Sequence, residues 1–194
     1  IQRSRGLGDV YKRQGGGEES FGYMVGDFVR DKDAVTAALL ACELVTEAKS
    51  NGSSFFNVLL ESYEKLGCFQ ERLVSLVKKG KSGAEEIESI MDRFRKDPPK
   101  YIEGSPIRFI EDYATAVRTV VHTQEKEMIP LPKANVLIFI AEDGTRVAAR
   151  PSGTEPKIKF YVSVNTNLNS TRDYRTTKNQ LDQKMDRILA ELGM

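Results

Sequence analysis

The stretch that most constrains the fold is KIKFYVSVN at residues 157–165, in which apolar and polar side chains alternate. Successive side chains of a β-strand point to opposite faces of a sheet, so this period of two predicts a strand with one buried face. The predicted buried face carries Ile158, Phe160, Val162 and Val164. The other face carries Lys157, Lys159, Tyr161 and Ser163. Such a strand needs partner strands and a covering layer, so we expect a sheet packed under helices.

The sequence before this strand supplies those partners. Residues 135–150 hold an apolar run, an Asp143-Gly144 pair and a short strand, which predicts a β-hairpin with a type I′ turn. Residues 82–97 predict a helix capped by Ser82, with Glu85 completing a capping box. Its predicted inward residues are Ile87, Met91 and Phe94. A final helix is predicted to pack through Tyr174, Leu181, Met185, Ile188 and Leu192.

The sequence from residue 15 to 67 has a different character. A glycine-rich loop, GGGEESFGY, precedes two predicted helices, the second capped by Ser53 or Ser54 and ended by Gly67. The first helix is predicted to bury Ala34, Ala38, Leu39, Cys42 and Val45. Residues 68–79 fit a helix or a strand equally well by periodicity. The chain therefore reads as two α/β pieces with a boundary near Gly67.

Residues 1–14 fit neither piece. They are basic and lack the apolar core of a signal peptide. We interpret them as an artefactual junction that takes no part in the fold; the alternative is a disordered natural N-terminus.

Composition excludes several kinds of site in this chain of 194 residues. Its net charge of +1 gives no indication of nucleic acid or an anionic membrane as partner, and no apolar run approaches the length of a membrane span. His122 is the single histidine, which excludes a His-based triad or a multi-His metal site. Cys42 and Cys68 are too few for a disulfide framework or a zinc site, so we expect a cytoplasmic protein.

The turn before the last strand, RPSGTEP, carries residue types suited to phosphate. Pro151 and Pro156 stiffen its ends, and Gly153 permits a positive φ that would let successive N–H groups converge on an anion. The hydroxyls of Ser152 and Thr154 add donors. Arg150 adds a planar fork that matches two phosphate oxygens. An ordinary hairpin turn with the same composition is the alternative.

The GEES loop suits a sugar in a comparable way. Glu18 and Ser20 are two residues apart, so in an extended loop their side chains share a side and can hold a sugar diol. Lys32 lies near the start of the first predicted helix. A solvated acidic loop and a surface lysine are the alternatives.

Together, GGEESFGY, RDKDA and RPSGTEPKIKFY, in this order and separation, resemble the α-D-phosphohexomutase family over residues 15–194. Within it the chain is most similar to the bacterial phosphoglucomutase or phosphopentomutase-type branch. Gly22 and Tyr23 stand where the phosphomannomutase/phosphoglucomutase branch has a histidine. The resemblance implies an end of an α/β/α third domain at 15–67. It also implies an α+β fourth domain at 68–194, with a mainly antiparallel sheet covered by helices and 68–79 as its first strand.

The family likeness also implies roles. Glu18, Ser20 and Lys32 would contact the sugar, and Arg150, Ser152, Gly153 and Thr154 would hold the phosphate that is not being transferred. The family moves phosphate between C1 and C6, or C1 and C5, through a sugar bisphosphate that also acts as activator. Its T-A-S-H-N-P phosphoserine loop and D-G-D-G-D-R Mg²⁺ loop are absent from this sequence.

The chain is therefore expected to be an inactive fragment by itself, with the N-terminal domains of the same protein as its partner, a phosphosugar as its ligand, and no nucleic acid or membrane partner. The alternative function is a non-catalytic phosphosugar-binding module.

Overall fold

The computed structural model describes residues 15–18, 22–25, 31–78 and 80–193. The interpretation of residues 1–14 lies outside the described residues. The chain divides into two compact units, 1–61 and 62–194. The division falls within a helix.

The first unit contains a short hairpin and a long helix. Strands β1 (Gly15–Glu18) and β2 (Gly22–Val25) pair antiparallel, with Glu18 opposite Gly22. Helix α1 (Ala34–Ser50) begins where the carboxylate of Asp33 accepts hydrogen bonds from two first-turn N–H groups. Helix α2 (Phe55–Leu66) begins in this unit, and Ser54 caps it through its hydroxyl, which accepts from the Asn57 N–H at 3.1 Å.

The predicted inward face of α1 is not buried. Leu39 is 61% exposed, and the only buried residue of this helix is Ala48. Three further residues predicted to point inward are also exposed: Ala34, Ala38 and Cys42. The described hairpin has two strands of four residues, which present too little apolar surface to cover a helix of this length.

The second unit is built on one antiparallel sheet. Its strands are β3 (Cys68–Val77), β4 (Tyr101–Ile102), β5 (Ser105–Asp112), β6 (Val117–Val120), β7 (Lys126–Met128), β8 (Leu137–Ala141), β9 (Arg146–Pro151) and β10 (Lys157–Thr166). The order across the sheet is β3-β10-β9-β8-β5-β6-β7, and β4 pairs with β5. The two helices of this unit are α3 (Gly80–Lys96) and α4 (Tyr174–Glu191). The expected α/β architecture with a mainly antiparallel sheet is confirmed.

Within the ambiguous segment, Cys68–Val77 forms a strand, as the family resemblance implied. Along β3, exposed side chains at Phe69, Leu73 and Val77 alternate with partly buried ones such as Val74 and Leu76. This period of two is that of a strand whose one face is covered.

The predicted type I′ turn at Asp143-Gly144 is wrong. The Gly144 N–H donates to the Ala141 carbonyl at 3.1 Å, and the Ala141 N–H donates to the Thr145 carbonyl at 2.9 Å. Gly144 has φ +84°, whereas Asp143 is outside the positive region. A three-residue loop with one left-handed glycine therefore connects β8 to β9, because only that third position needs a positive φ.

Helices α3 and α4 cover one face of the sheet and form the core. The predicted inward residues of α3 are buried, as are Leu181, Met185 and Ile188 of α4. The four predicted inward residues of β10 are each at most 2% exposed. The ring of Phe94 meets those of Phe139 and Phe160 edge-on at 5.8 and 6.2 Å.

Helix α3 begins at Gly80, so Ser82 lies inside its first turn and is not the N-cap that the sequence predicted. Within the ranges that the structure describes, none of the helices combines the length and the apolar character needed to cross a membrane.

Candidate functional site

The turn RPSGTEP connects two paired strands at one end of the sheet. In the β9–β10 register, Arg150 lies directly opposite Lys159. Their neighbours Ala149 and Phe160 are buried in the core, so Arg150 and Lys159 point to the opposite, open face. The register thus brings two cations side by side where β9 enters the turn.

Backbone hydrogen bonds hold the turn at both ends. The Ser152 N–H donates to the Lys157 carbonyl at 2.8 Å, and the Lys157 N–H donates to the Glu155 carbonyl at 2.7 Å. The Lys78 N–H, just after β3, donates to the Pro156 carbonyl at 2.8 Å. These bonds fix the turn against its neighbouring strands.

The interior of the turn differs from the expected anion nest. The Ser152 hydroxyl oxygen accepts from the N–H groups of Thr154 at 3.4 Å and Glu155 at 3.3 Å. Gly153 does not have the positive φ that the sequence allowed. The side-chain oxygen of Ser152 therefore fills the place that a converging anion would take. Rotation of this side chain would release both N–H groups to a phosphate oxygen.

A cavity of about 290 Å³ lies against this turn. Its lining consists of Arg150, Pro151, Ser152, Gly153, Thr154, Lys157 and Lys159. The structure thus brings all four predicted phosphate-binding residues together around one space, with two additional lysines.

The charges around this cavity are unequal in availability. Lys157 forms an ion pair with Glu155, and its hydrogen bond lowers the pKa of that carboxyl. Within the described part of the chain, Arg150 and Lys159 form no ion pair. Two cations without ion-pair partners lie beside the N–H groups and hydroxyls of the turn. This combination suits a dianionic phosphate.

A larger cavity of about 730 Å³ lies on the α3 side of the same turn. Ile87 and Met91 line it together with Glu88, Asp92 and Arg95. Arg95 is already paired, with Asp112 at 3.1 Å and with Asn135 at 2.6 Å. The other charged residues that line this larger cavity are acidic, so it does not suit a phosphate. The smaller cavity is therefore the candidate phosphate site.

The predicted sugar loop lies at the β1–β2 connection. Glu18 is the last residue of β1, and the structure describes its backbone position opposite Gly22. Ser20 lies outside the described residues. The prediction that the Glu18 and Ser20 side chains share one side of the loop is therefore still a prediction.

Lys32 lies beside that hairpin. The Asp33 N–H donates to the Tyr23 carbonyl at 3.0 Å, which ties the start of α1 to β2. The side-chain stem of Lys32 packs against Gly22, and its ammonium is 3.6 Å from the Asp31 carboxylate. Lys32, predicted from its resemblance to a family lysine, is thus adjacent to the strand pair that carries Glu18.

The described residues do not fit a metal ion. They contain no group of three or more His, Cys, Asp or Glu side chains that could hold one. In this respect the described residues offer no ready-made cluster for the Mg²⁺ that the family resemblance implies.

Sequence reasoning missed three residues of these sites. Lys159 and Lys157 were assigned only to the outer face of a strand, although pairing Lys159 with Arg150 follows once β9 and β10 form a hairpin. Gly22 was noted only as a departure from one branch of the family. Its contact with Lys32 depends on tertiary packing and has no signal in the local sequence.

Comparison with known proteins identifies the family. Residues 9–63 match the model of phosphoglucomutase/phosphomannomutase α/β/α domain III, and residues 77–167 match that of the C-terminal domain. The first match includes the last six residues of the segment 1–14.

Phosphoglucomutase of Staphylococcus haemolyticus is 38% identical over 148 residues, covering 76% of this chain and 27% of that protein. Phosphoglucomutase of Staphylococcus aureus is 40% identical over 147 residues, covering 76% and 26%. The chain thus spans about a quarter of the length of these relatives.

A solved structure of parafusin, a phosphoglucomutase from Paramecium, matches this chain with a TM-score of 0.48 at 15% sequence identity. The match spans 90% of this chain and 30% of the parafusin chain. At that score the likeness decides nothing about function. The two domain matches lie in the same order as the sugar loop and the phosphate turn, and on this evidence the chain belongs to the α-D-phosphohexomutase family.

Proposed function

We propose that this chain is the sugar- and phosphate-binding part of a phosphoglucomutase-like phosphosugar mutase. The observation that carries the proposal is the cavity at the RPSGTEP turn, where Arg150 and Lys159 lie opposite each other without anionic partners in the described residues. The family match to domain III and the C-terminal domain supports it.

In this proposal the turn binds the phosphate group that is not being transferred. Arg150 offers two parallel N–H donors to phosphate oxygens, and Lys159 adds a second positive charge. Ser152 and Thr154 offer hydroxyls, and the released N–H groups of the turn complete the donor set. All these contacts go to phosphate oxygens, so the turn can hold either phosphate of a bisphosphate that reverses its direction.

The remaining proposed contacts go to the sugar. Glu18 and Ser20 would hold adjacent hydroxyls, and the ammonium of Lys32 would also contact the sugar. These contacts orient the substrate and perform no bond-breaking step. Orientation and charge neutralisation are the main demands of phosphoryl transfer, because little covalent chemistry is left to the protein.

The transferring serine and the Mg²⁺ ligands would come from N-terminal domains of the same protein. The metal would neutralise charge on the transferred phosphate. We place the protein in the cytoplasm, which the unpaired state of Cys42 and Cys68 supports.

Conversion of glucose 1-phosphate to glucose 6-phosphate by the complete protein tests this proposal, with Mg²⁺ and glucose 1,6-bisphosphate present. Conversion that is lost in Arg150→Ala supports the mutase. Tight binding of the bisphosphate with no conversion of glucose, mannose or pentose phosphates would favour the non-catalytic phosphosugar-binding module. Absence of both would reject the phosphosugar assignment.

A further inference from the structure

We infer that Gly22 is a positioning residue that holds Lys32 against strand β2, an inference that rests on the proposed role of Lys32. Gly22 is buried and is the residue of β2 directly opposite Glu18. A Cβ atom added to it would lie 2.7 Å from Lys32 Cβ, 3.1 Å from Cγ and 3.4 Å from Cδ. The stem of Lys32 therefore occupies the space that any other side chain at position 22 would take.

The close contact involves the base of the lysine side chain. Rotation about the outer side-chain bonds moves Cγ and Cδ but cannot move Cβ away. A side chain at position 22 would therefore shift the backbone of β2 or that of the segment carrying Lys32.

The backbone around Lys32 has little freedom to make that shift without losing hydrogen bonds. Asp33 donates its N–H to the Tyr23 carbonyl at 3.0 Å, and its carboxylate accepts from the Val35 N–H at 2.9 Å and the Thr36 N–H at 3.2 Å. The Lys32 N–H donates to the Asp31 carboxylate at 2.8 Å. Lys32 is thus fixed between β2 and the capped end of α1, with Gly22 providing the space for its stem.

A double-mutant cycle in the complete enzyme tests the inference. The proteins are the parent, Gly22→Ala, Lys32→Ala and the double variant, with Val35→Ala as a control. Val35 lies in the first turn of α1 and is 79% exposed. Three quantities are measured: the Kd for glucose 1,6-bisphosphate, the melting temperature without ligand, and the rate of acylation of Lys32 by an amine reagent, followed by mass spectrometry.

Gly22→Ala is expected to weaken binding by about ten- to a hundredfold, the loss that a charged hydrogen bond represents. The amine reagent should also acylate Lys32 faster in Gly22→Ala than in the parent, because the lysine stem leaves its packed position. In the Lys32→Ala background the same change should leave binding unaltered, since the ammonium is already absent. Lys32→Ala keeps Cβ, so any loss of stability from the clash should persist there. Val35→Ala should resemble the parent in all three measurements.

Each other outcome overturns the inference. Equal Lys32 acylation in the parent and Gly22→Ala would show that the contact does not hold the lysine. Full additivity on binding would show that Gly22→Ala acts through the hairpin and not through Lys32. If Lys32→Ala bound the bisphosphate normally, Lys32 would not be a binding group, and Gly22 would have nothing to position. Failure of the proposed function would give a different result. The parent protein would then not bind the bisphosphate, and Arg150→Ala would cause no loss of binding.

Discussion

Arg150 and Lys159 face each other across the β9–β10 pair, on the side of the sheet that α3 and α4 leave uncovered. Like charges directly opposite on neighbouring strands destabilise a sheet. Neither has an ion-pair partner in the described part of the chain, and both line the same cavity. An anion bound between them would remove the repulsion and gain two charged contacts. This pair therefore favours the binding of an anion and lowers the stability of the sheet when no anion is bound.

Replacing Arg150 tests the phosphate cradle. Hydrogen bonds to charged groups contribute about 1.5–3 kcal/mol each. Arg150→Ala should therefore weaken binding of glucose 1,6-bisphosphate on the order of ten- to several hundredfold in the complete enzyme, measured by titration calorimetry. Arg150→Lys should recover part of the affinity, because it restores the charge without the planar fork.

The melting temperature without ligand is the control for Arg150. It should barely change, because the side chain is exposed and the core lies on the other face. If Arg150→Ala binds like the parent but melts far lower, the arginine is a structural clamp on the turn and the phosphate assignment is wrong.

Lys159 provides a second test, in which binding and stability should move in opposite directions. Lys159→Gln should weaken bisphosphate binding and make it less sensitive to salt, because one cation of the cavity is lost. The unliganded protein should be as stable as the parent or more stable, by about 0.2–1 kcal/mol, because the like-charge pair is removed. Urea unfolding measures the second effect. A clear loss of stability would contradict the argument from repulsion.

The regular part of the fold could be predicted from the sequence, because local patterns determine it. The alternation along β10 and the spacing of Ile87, Met91 and Phe94 identified the buried faces of a strand and a helix correctly. The inward face predicted for α1 was wrong, since burial depends on a partner layer that the helix pattern does not reveal.

The site was predictable in residue type but not in geometry. The four residues predicted for the phosphate turn line one cavity, yet Gly153 does not adopt the positive φ that a glycine permits. The Ser152 hydroxyl satisfies the turn N–H groups in another way. The opposition of Lys159 to Arg150 requires the strand register, and the space at Gly22 requires tertiary packing.

The 194-residue chain alone is expected to have no mutase activity, because the phosphoserine and metal loops of the family are absent from its sequence. The measurement is conversion of glucose 1-phosphate with Mg²⁺ and the bisphosphate, compared with a sample lacking protein. Turnover well above that background would mean that a different nucleophile is present in this chain.

Residues 68–194 are expected to fold by themselves, whereas 15–67 are not. The inward residues of β8, β9 and β10 are buried under two helices, while Val35 and Leu39 of α1 are 79% and 61% exposed. Amide exchange should therefore be slow in 137–164 and fast in 31–50. A separately expressed 68–194 protein should keep the slow set. Equal protection in both regions of the 194-residue chain would contradict this.

Asp143 should make the stability of the second unit depend on acid pH. Burial raises the pKa of this carboxyl, but hydrogen bonds from the Lys184 ammonium at 2.6 Å and the Thr145 N–H at 2.9 Å outweigh it, and the net pKa is lowered. A lowered pKa in the folded state stabilises the fold at pH values above the unfolded pKa of about 3.9, and this contribution disappears as the pH falls through the folded pKa.

Asp143→Asn should therefore melt at a lower temperature than the parent at pH 7, and the difference in melting temperature should narrow at pH 3. Glu142→Gln, an exposed neighbour in the same loop, is the matched control and should follow the parent at both pH values. A gap for Asp143→Asn that stays constant between pH 7 and pH 3 would show that the carboxylate charge is not what ties this loop to α4.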